Sequence, residues 1–283
     1  MNKEDQAIAS LANSNLISFS FANYRGFKSG HHIRILADKL EKVERGEIKR
    51  LIVTMPPRHC KSLLCSQLFP AWYLGRNASK QIICATYSDE LSRDFGRKVR
   101  NILNTQEYQA IFNTKLAEDS AAINKFNTTK EGVYIGTGVG GSITGRGADL
   151  FLIDDPIKGR EEADSEVMRK KLWEWYISVA RTRLMPGGAI VVIQTRWHKD
   201  DLVGKLLKDK SEDWEVLNMP AINEEEEPLW PQMWSLEELL KTKNAIGGRE
   251  WSCLYQGVPA DPENQVFHQD MIRYYDAVPP GDM

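Results

Sequence analysis

Two pairs of adjacent side chains in this sequence could act together on a phosphate group. Lys61 and Ser62 form the first pair, and Asp154 and Asp155 form the second pair far downstream. A lysine can neutralise phosphate charge and a neighbouring hydroxyl can bind Mg²⁺, whereas paired carboxylates can hold the metal and polarise an attacking water. These residue types predict binding and hydrolysis of a nucleoside triphosphate, with ATP and Mg²⁺ as the ligands.

The first pair follows the order of elements that is typical of a phosphate-binding P-loop. An apolar strand at 51–54 leads through a tight loop to Lys61 and Ser62, which open a helix. In the pattern G-x-x-x-x-G-K-[ST], backbone N–H groups and the helix N-terminus face the phosphates. Met55 and Cys60 occupy the two glycine positions, so an ordinary strand, turn and helix with a surface lysine is the alternative. The predicted nucleotide contacts are Pro57, Arg58, His59, Cys60, Lys61, Ser62 and Leu63, with Thr195 from a later strand.

The second pair ends an apolar strand at 148–153. Two acids at the end of such a strand are typical of a Walker B motif. We predict that Asp154 holds Mg²⁺ together with Ser62, and that Asp155 polarises the water that attacks the γ-phosphate. The alternative is that Asp154, Asp155 and Pro156 only form a turn, because Asp and Pro are common in turns.

A third apolar strand at 189–193 ends in Gln194 and Thr195, which are placed to sense the γ-phosphate. Three apolar strands with polar ends predict an open, mostly parallel α/β sheet that binds its ligand at the carboxyl edge. Arg196 and His198 follow, and for His198 a solvated loop is the preferred interpretation.

The remaining periodicity predicts the elements that frame these strands. Helices are expected at 31–45, 62–74, 88–103, 164–184, 200–208, 235–243 and 248–256, strands at 81–86 and 214–219, and a hairpin at 122–128 and 132–138. The basic groups of the 164–184 helix could face DNA or form a solvated face.

Composition excludes several classes of protein. The chain has 283 residues, 42% of them hydrophobic, which is enough for a sizeable core. A net charge of −2 gives no general argument for nucleic-acid binding. The four cysteines lack C-x-x-C spacing, and no long apolar run is present, so a reducing compartment without membrane spanning is predicted.

Three segments together resemble the ATPase region of tailed-phage terminase large subunits, over about residues 25 to 280. They are the P-P-R-H-x-K-S loop at 56–62, the T-G-R-G-A-D stretch at 144–149 before the acid pair, and D-D-L-V-G at 200–204. The resemblance implies a P-loop fold of the additional-strand (ASCE) type and a motor that packages double-stranded DNA into a procapsid. It also implies a homo-oligomeric ring in the host cytoplasm, with the portal protein and the small terminase subunit as partners and no membrane.

The same resemblance assigns roles to individual residues. Arg146 matches the arginine that such motors insert into a neighbouring subunit's site, and Arg58 matches the extra arginine of the loop. Asp155 stands where many relatives carry glutamate, which could retract the base from the water. The predicted catalytic set is therefore Asp155, Lys61, Arg146 and Arg58. The resemblance also makes Tyr24, Phe27, His31 and His32 candidates for contacts to the adenine, although core or surface packing is the preferred interpretation for each of them.

The expected domain organisation has four parts. Residues 1–46 form an N-terminal arm and adenine-side helix, 47–210 the P-loop ATPase core, 211–265 a lid subdomain, and 266–283 a linker towards an absent nuclease domain. ATP hydrolysis without DNA cleavage is therefore predicted. The alternatives are a helicase-like or repair nucleic-acid ATPase and a nucleotide-binding scaffold without turnover.

Overall fold

The computed structural model describes residues 3–143 and 145–259. Thr144, the predicted linker and the last residues of the predicted lid lie outside the described residues. The helices are α1 (Lys3–Ser14), α2 (Leu16–Asn23), α3 (His31–Glu44), α4 (Lys61–Leu63), α5 (Phe69–Arg76), α6 (Asp89–Leu103), α7 (Gln106–Ile111), α8 (Arg160–Asp164), α9 (Glu166–Trp175), α10 (Leu202–Lys208) and α11 (Leu236–Glu250). The strands are β1 (Arg50–Thr54), β2 (Gln81–Thr86), β3 (Leu116–Ala121), β4 (Lys125–Thr128), β5 (Val133–Gly138), β6 (Ala148–Asp154), β7 (Leu184–Gln194) and β8 (Glu215–Asn218).

The eight strands form one sheet in the order β3-β4-β5-β2-β6-β7-β1-β8. All neighbours from β5 to β8 in this order pair in parallel, and the β3, β4 and β5 neighbours pair antiparallel. β7 lies between β1 and β6, so an additional strand separates the P-loop strand from the strand of the acid pair. The mostly parallel α/β sheet of the P-loop additional-strand type, predicted from the sequence, is confirmed.

Strand register brings the three chemically important strand ends to one edge of the sheet. Thr54 of β1 pairs with Gln194 of β7, and Asp154 of β6 pairs with Ile193. Because these strands are parallel, the residues that follow them meet at the carboxyl edge. The P-loop, the acid pair and Thr195 are therefore neighbours in space.

Apolar side chains alternate along the central strands and fill a core on each face of the sheet. Leu51 and Val53 of β1 pack with α3 and α5, whereas Ile52 packs on the opposite face, which α9 and α10 cover. A third, small cluster forms around Ala221, Leu239 and Trp251 within the predicted lid.

Several elements differ from the sequence-based expectation. The predicted 164–184 helix begins at Glu166, because Ser165 has extended backbone and caps α9 by accepting from the Met168 N–H. A π-helical turn at Tyr176–Ala180 and a short 3₁₀ turn follow, and β7 already begins at Leu184. The polar edge strand β3 was not predicted. β8 joins the main sheet beside β1, although its residues fall within the 211–265 segment.

The helix that follows the P-loop is continuous from Lys61 to Arg76 but contains a π turn at Leu64–Leu68. Such turns are rare and occur frequently at functional sites. Among the described residues, no helix combines the length and the apolar character that crossing a lipid bilayer requires.

Candidate functional site

The P-loop backbone adopts the left-handed conformation at two non-glycine residues. Arg58 has φ of 63° and Cys60 has φ of 64°. This region is sparsely populated by residues with a Cβ atom and is favoured by glycine. Cys60, which occupies a glycine position of the usual pattern, thus keeps the backbone geometry that glycine would have.

Substitutions at Cys60 are expected to report this backbone strain. Cys60→Gly should leave the free energy of unfolding within about 1 kcal/mol of wild type, because lost strain and lost chain entropy oppose each other. Cys60→Val should lower it by about 1–2 kcal/mol, because a β-branched residue is disfavoured at positive φ. Urea denaturation of both variants checks this order of stability, and Cys60→Ala should be intermediate. Equal stability of the glycine and valine variants would contradict it.

Lys61 connects the P-loop to both other strand ends. Its side chain is buried, and Nζ lies 2.8 Å from Thr195 Oγ1 and 3.1 Å from Asp155 Oδ2. These three residues come from the ends of β1, β7 and β6, respectively, and they are far apart in the sequence. The convergence that the strand ends predicted is therefore present.

Asp154 is fully buried beneath the P-loop helix. Its Oδ1 accepts from Ser62 Oγ at 3.1 Å and its Oδ2 accepts from Ser66 Oγ at 2.5 Å. Burial and the neighbouring Asp155 raise the pKa of Asp154 to about 7, whereas Lys61 and the two serine hydroxyls lower it. Sequence reasoning missed Ser66, although its position four residues after Ser62 places both on one helix face.

The acid pair carries more negative charge than the single ammonium beside it neutralises. Burial is the main cause of the raised pKa of Asp154, and the neighbouring Asp155 adds to it. Mg²⁺ is usually bound by one or two carboxylates together with substrate phosphates. Ser62 and Asp154 therefore fit a magnesium site, with one hydroxyl and one carboxylate oxygen 3.1 Å apart.

Asp155 is held in a strained, well-defined orientation. Its φ is 42°, its backbone N–H donates to Ile193 O at 2.8 Å, and its Oδ1 accepts from the Thr195 N–H at 2.7 Å. Backbone strain of this kind persists where surrounding contacts over-determine it, and it clusters at active sites. The Asp155 side chain remains 28% exposed, so one carboxylate edge can reach solvent or a ligand.

Two predicted arginines lie outside this network. Arg58 and Arg146 are both exposed, and neither guanidinium forms a hydrogen bond or ion pair within the described residues. Leu63 and Pro57 are half-buried beside the loop. Gln194 is fully buried, and its amide has no hydrogen-bond partner among the described residues.

His59 packs away from the acid pair, against aromatic rings of the predicted lid. Its Nδ1 lies 2.8 Å from Pro57 O, and its ring stacks on Trp234 at 6.1 Å between centroids. Trp230 and His32 lie at 6.4 and 5.9 Å. His59 thus links the P-loop to two other segments, a role that its place in the motif did not indicate.

A cavity of about 380 Å³ lies beside this aromatic group, between the start of α3 and the end of β8. His31 and His32 line it together with Asn218 and Gln232. His32 is fully buried, and neither ring nitrogen has a partner among the described residues. Burial, with a contribution from His59, lowers the pKa of His32 to about 4, so the ring is neutral near pH 7. Of the other predicted adenine contacts, Phe27 is buried in the core and Tyr24 is exposed.

The strand order and the convergence on one edge define the class of protein. A lysine and serine after β1, two acids after β6 and a polar residue after the intervening β7 are the arrangement of a P-loop NTPase with an additional strand. The family model "Terminase large subunit, T4likevirus-type, N-terminal" matches residues 52–273. The chain belongs to this family of large terminase subunits.

Solved structures of phage terminases have the same fold at 12% sequence identity. The HK97 bacteriophage large terminase superposes with a TM-score of 0.58 over 92% of this chain and 56% of that protein. A point mutant of the Thermus phage P74-26 large terminase ATPase domain gives 0.56 over 86% of this chain and 98% of that domain. The large terminase of a thermophilic bacteriophage gives 0.50, over 82% and 56%. The chain thus spans little more than half of the HK97 protein, and no curated protein matches it.

Proposed function

We propose that this chain is the ATP-hydrolysing motor domain of a phage large terminase. It would couple Mg·ATP hydrolysis to the packaging of double-stranded DNA into a procapsid. The observation that carries the proposal is the meeting of Lys61, Asp155 and Thr195 at the carboxyl edge, next to the Ser62 and Asp154 pair. Membership in the large terminase family supports the biological setting.

The side chains suggest how hydrolysis would proceed. The β- and γ-phosphate oxygens would replace Asp155 as the partner of the Lys61 ammonium, which frees Asp155 Oδ2 to accept a hydrogen bond from the attacking water. The Thr195 N–H, 2.7 Å from Asp155 Oδ1, would keep that carboxylate in orientation. Ser62 and Asp154 would hold Mg²⁺, which neutralises developing charge on the phosphates.

The base of the nucleotide would bind in the cavity beside α3. The exposed side chain of His31 lines this cavity, and an imidazole nitrogen can hydrogen-bond to the edge of an adenine. The cavity also lies next to His59 of the P-loop, whose ring is 5.9 Å from that of His32. With its phosphates on the P-loop and its base in this cavity, one ATP molecule would span both sites.

The assembly is also part of the proposal. We expect a homo-oligomeric ring in the host cytoplasm at the portal vertex, with double-stranded DNA, the portal protein and the small terminase subunit as partners. The segments 1–46, 47–210, 211–265 and 266–283 would serve as the base-side arm, ATPase core, lid and linker, except that β8 belongs to the sheet of the core. The resemblance of the motifs to large terminases supports this arrangement.

Steady-state hydrolysis tests the proposal directly. The purified chain, at high concentration and with linear double-stranded DNA, is expected to hydrolyse ATP, and Lys61→Ala provides the inactive reference. Turnover no faster than this reference, with Mg·ADP still bound, would favour the non-hydrolysing scaffold. Strand displacement on a forked substrate would instead favour the helicase-like alternative.

Arg146 is expected to act on a neighbouring subunit. Arg146→Ala should lower the turnover of assembled protein by about 10³-fold or more, as loss of an arginine finger does, while activity per subunit of the wild type rises with concentration. Mixing inactive Arg146→Ala with inactive Lys61→Ala should restore part of the activity, because the Arg146 of a Lys61→Ala subunit can complete the otherwise intact site of an Arg146→Ala neighbour.

Arg93, an exposed arginine of α6, provides the matched control for this experiment. Arg93→Ala should hydrolyse ATP at the wild-type rate at every concentration. Failure of the mixture to regain activity, together with concentration-independent turnover in the wild type, would assign Arg146 to its own subunit or to no catalytic role.

A further inference from the structure

A buried carboxylate holds the C-terminal end of the segment that carries Thr195 by hydrogen bonds. We call residues 195–201 the sensor loop. Asp201 is fully buried and accepts from Arg196 Nε at 2.9 Å, from the Trp197 N–H at 3.2 Å and from the Gly204 N–H at 2.9 Å. This side chain both caps α10 and holds the end of the sensor loop against it.

Arg160, the first residue of α8, also holds the sensor loop in place. Its Nη1 donates to Trp197 O at 2.6 Å, and its guanidinium lies 5.2 Å from the centre of the Trp197 ring. Trp197 is two residues beyond Thr195. Asp201 holds Arg196 and the Trp197 N–H between these two points, which restricts the backbone dihedral angles that separate the Trp197 carbonyl from Thr195. A displacement of that carbonyl therefore reaches Thr195, whose N–H contacts Asp155 and whose Oγ1 contacts Lys61.

The remaining edge of the Arg160 guanidinium faces the predicted lid. Nε and Nη2 each donate to one oxygen of Glu250 at 2.8 Å, which is the bidentate geometry of a strong arginine–carboxylate pair. Both side chains are mostly shielded, with 23% and 29% exposure, so solvent screens the pair only in part. One arginine therefore joins the end of α11 to the backbone of the sensor loop.

A neighbouring ion pair provides an internal comparison. Arg249 Nη2 lies 2.7 Å from Asp164 Oδ1, and it also links α11 to α8. The same oxygen lies at the longer distance of 3.5 Å from Arg160 Nη1. Within the described residues, the Arg249 side chain makes no further hydrogen bond, so none joins it to the sensor loop. Both pairs can hold the two helices together, but only the Arg160 pair continues to Trp197.

The helical piece that carries Glu250 is separated from the rest of α11. Gly247 has φ of 81°, which breaks the helix between its first part and residues 248–255. Such a residue can absorb a change of direction between two rigid segments. The position of Glu250 is therefore set by its own contacts rather than by the direction of the first part of α11.

We propose that Arg160 is a positioning residue that couples the predicted lid to the sensor loop. Through Trp197 O it places Thr195, and through Glu250 it makes that placement depend on residues 248–255. The inference rests on the proposed ATP hydrolysis, because Thr195 and Asp155 are the groups whose alignment it controls.

Kinetic constants of three variants test the coupling. Arg160→Gln is expected to lower kcat for ATP about tenfold, while the KM for ATP and the Kd for Mg·ADP stay within twofold of wild type. Arg249→Gln removes the comparison pair and should reduce the melting temperature by a similar amount without a change in kcat. A purely structural role would change both variants alike.

A reciprocal exchange, the third variant, keeps the test decisive if Arg160→Gln folds poorly. The double variant Arg160→Glu with Glu250→Arg restores an ion pair between the helices, but a glutamate at position 160 cannot donate to Trp197 O. We expect the melting temperature to recover and kcat to stay low.

Two outcomes would overturn the coupling, namely recovery of kcat in the exchange variant and an equal loss of kcat in Arg249→Gln. Both presuppose a wild-type chain that hydrolyses ATP faster than Lys61→Ala. If the wild-type chain is no faster than Lys61→Ala, the proposed ATP hydrolysis itself fails. Unchanged Mg·ADP binding in Arg160→Gln would then not support the coupling.

Discussion

Lys61→Ala is expected to lower kcat/KM for ATP by at least about 10²–10³-fold, the loss that follows removal of one group stabilising transition-state charge. The Lys61 ammonium is the buried cation at the meeting point of the three strands, 2.8 Å from Thr195 and 3.1 Å from Asp155. Mg·ADP should also bind more weakly, because the lysine faces phosphates in the product complex as well. Steady-state kinetics and calorimetric titration with Mg·ADP measure the two effects.

The variant should also be less stable, since removal of one partner from a mostly buried ion pair leaves the other without compensation. Lys61→Met also lacks the charge but fills a similar volume, so it separates loss of the charge from loss of side-chain volume. Lys80→Ala is the matched control, because it breaks a lysine–aspartate pair with Asp149 at 2.8 Å, at the opposite end of the same sheet. Loss of turnover in Lys80→Ala equal to that in Lys61→Ala would show that the effect is not specific to the P-loop.

Asp155→Asn is expected to lower kcat by about 10²–10⁴-fold, the usual contribution of a general base. The asparagine oxygen can still accept from the Thr195 N–H, so the local backbone should keep its conformation. Binding of Mg·ADP should stay within a few-fold of wild type, because the change removes the group that faces the water rather than the phosphate contacts. Single-turnover measurements of hydrolysis and equilibrium measurements of Mg·ADP binding distinguish a loss of catalysis from a loss of binding.

Asp149→Asn is the control for this prediction. Asp149 lies at the other end of β6 and accepts from Lys80 Nζ and the Gln81 N–H, so it acts on structure alone. Its replacement should leave kcat unchanged. If Asp155→Asn kept more than about a tenth of wild-type kcat, another group would have to polarise the water, and Asp155 would serve only to hold Lys61 and Thr195.

The local order of residues predicted the framework around these groups. Apolar runs at 51–53, 148–153 and 189–193 each end in polar side chains, and such runs are typical of buried parallel strands. Their parallel pairing followed from the helical segments between them. Elements with weak patterns were missed, as β3 shows, because a polar edge strand lacks the apolar periodicity on which such predictions depend.

The sequence pattern also did not predict the exact residues at which helices begin and end. The helix predicted at 164–184 begins at Glu166 instead, because the capping bond of Ser165 to the Met168 N–H separates it from the short α8, which was not predicted. Serine is compatible with a helix interior and with a cap, so the choice depends on packing of the flanking turns. The same is true of Cys60, whose φ of 64° is imposed by the loop around it.

By itself, the sequence determined the class of chemistry, which is phosphate binding and hydrolysis. It places a lysine and a serine after one strand, two acids after another and a threonine after a third, and this combination is typical of a nucleotide-hydrolysing site. Tertiary structure alone decided the contacts that join distant segments, such as Ser66 to Asp154, His59 to Trp234 and Arg160 to Glu250. The physical reason is that residue type and spacing specify local backbone and burial, whereas pairing across the fold depends on where rigid elements pack.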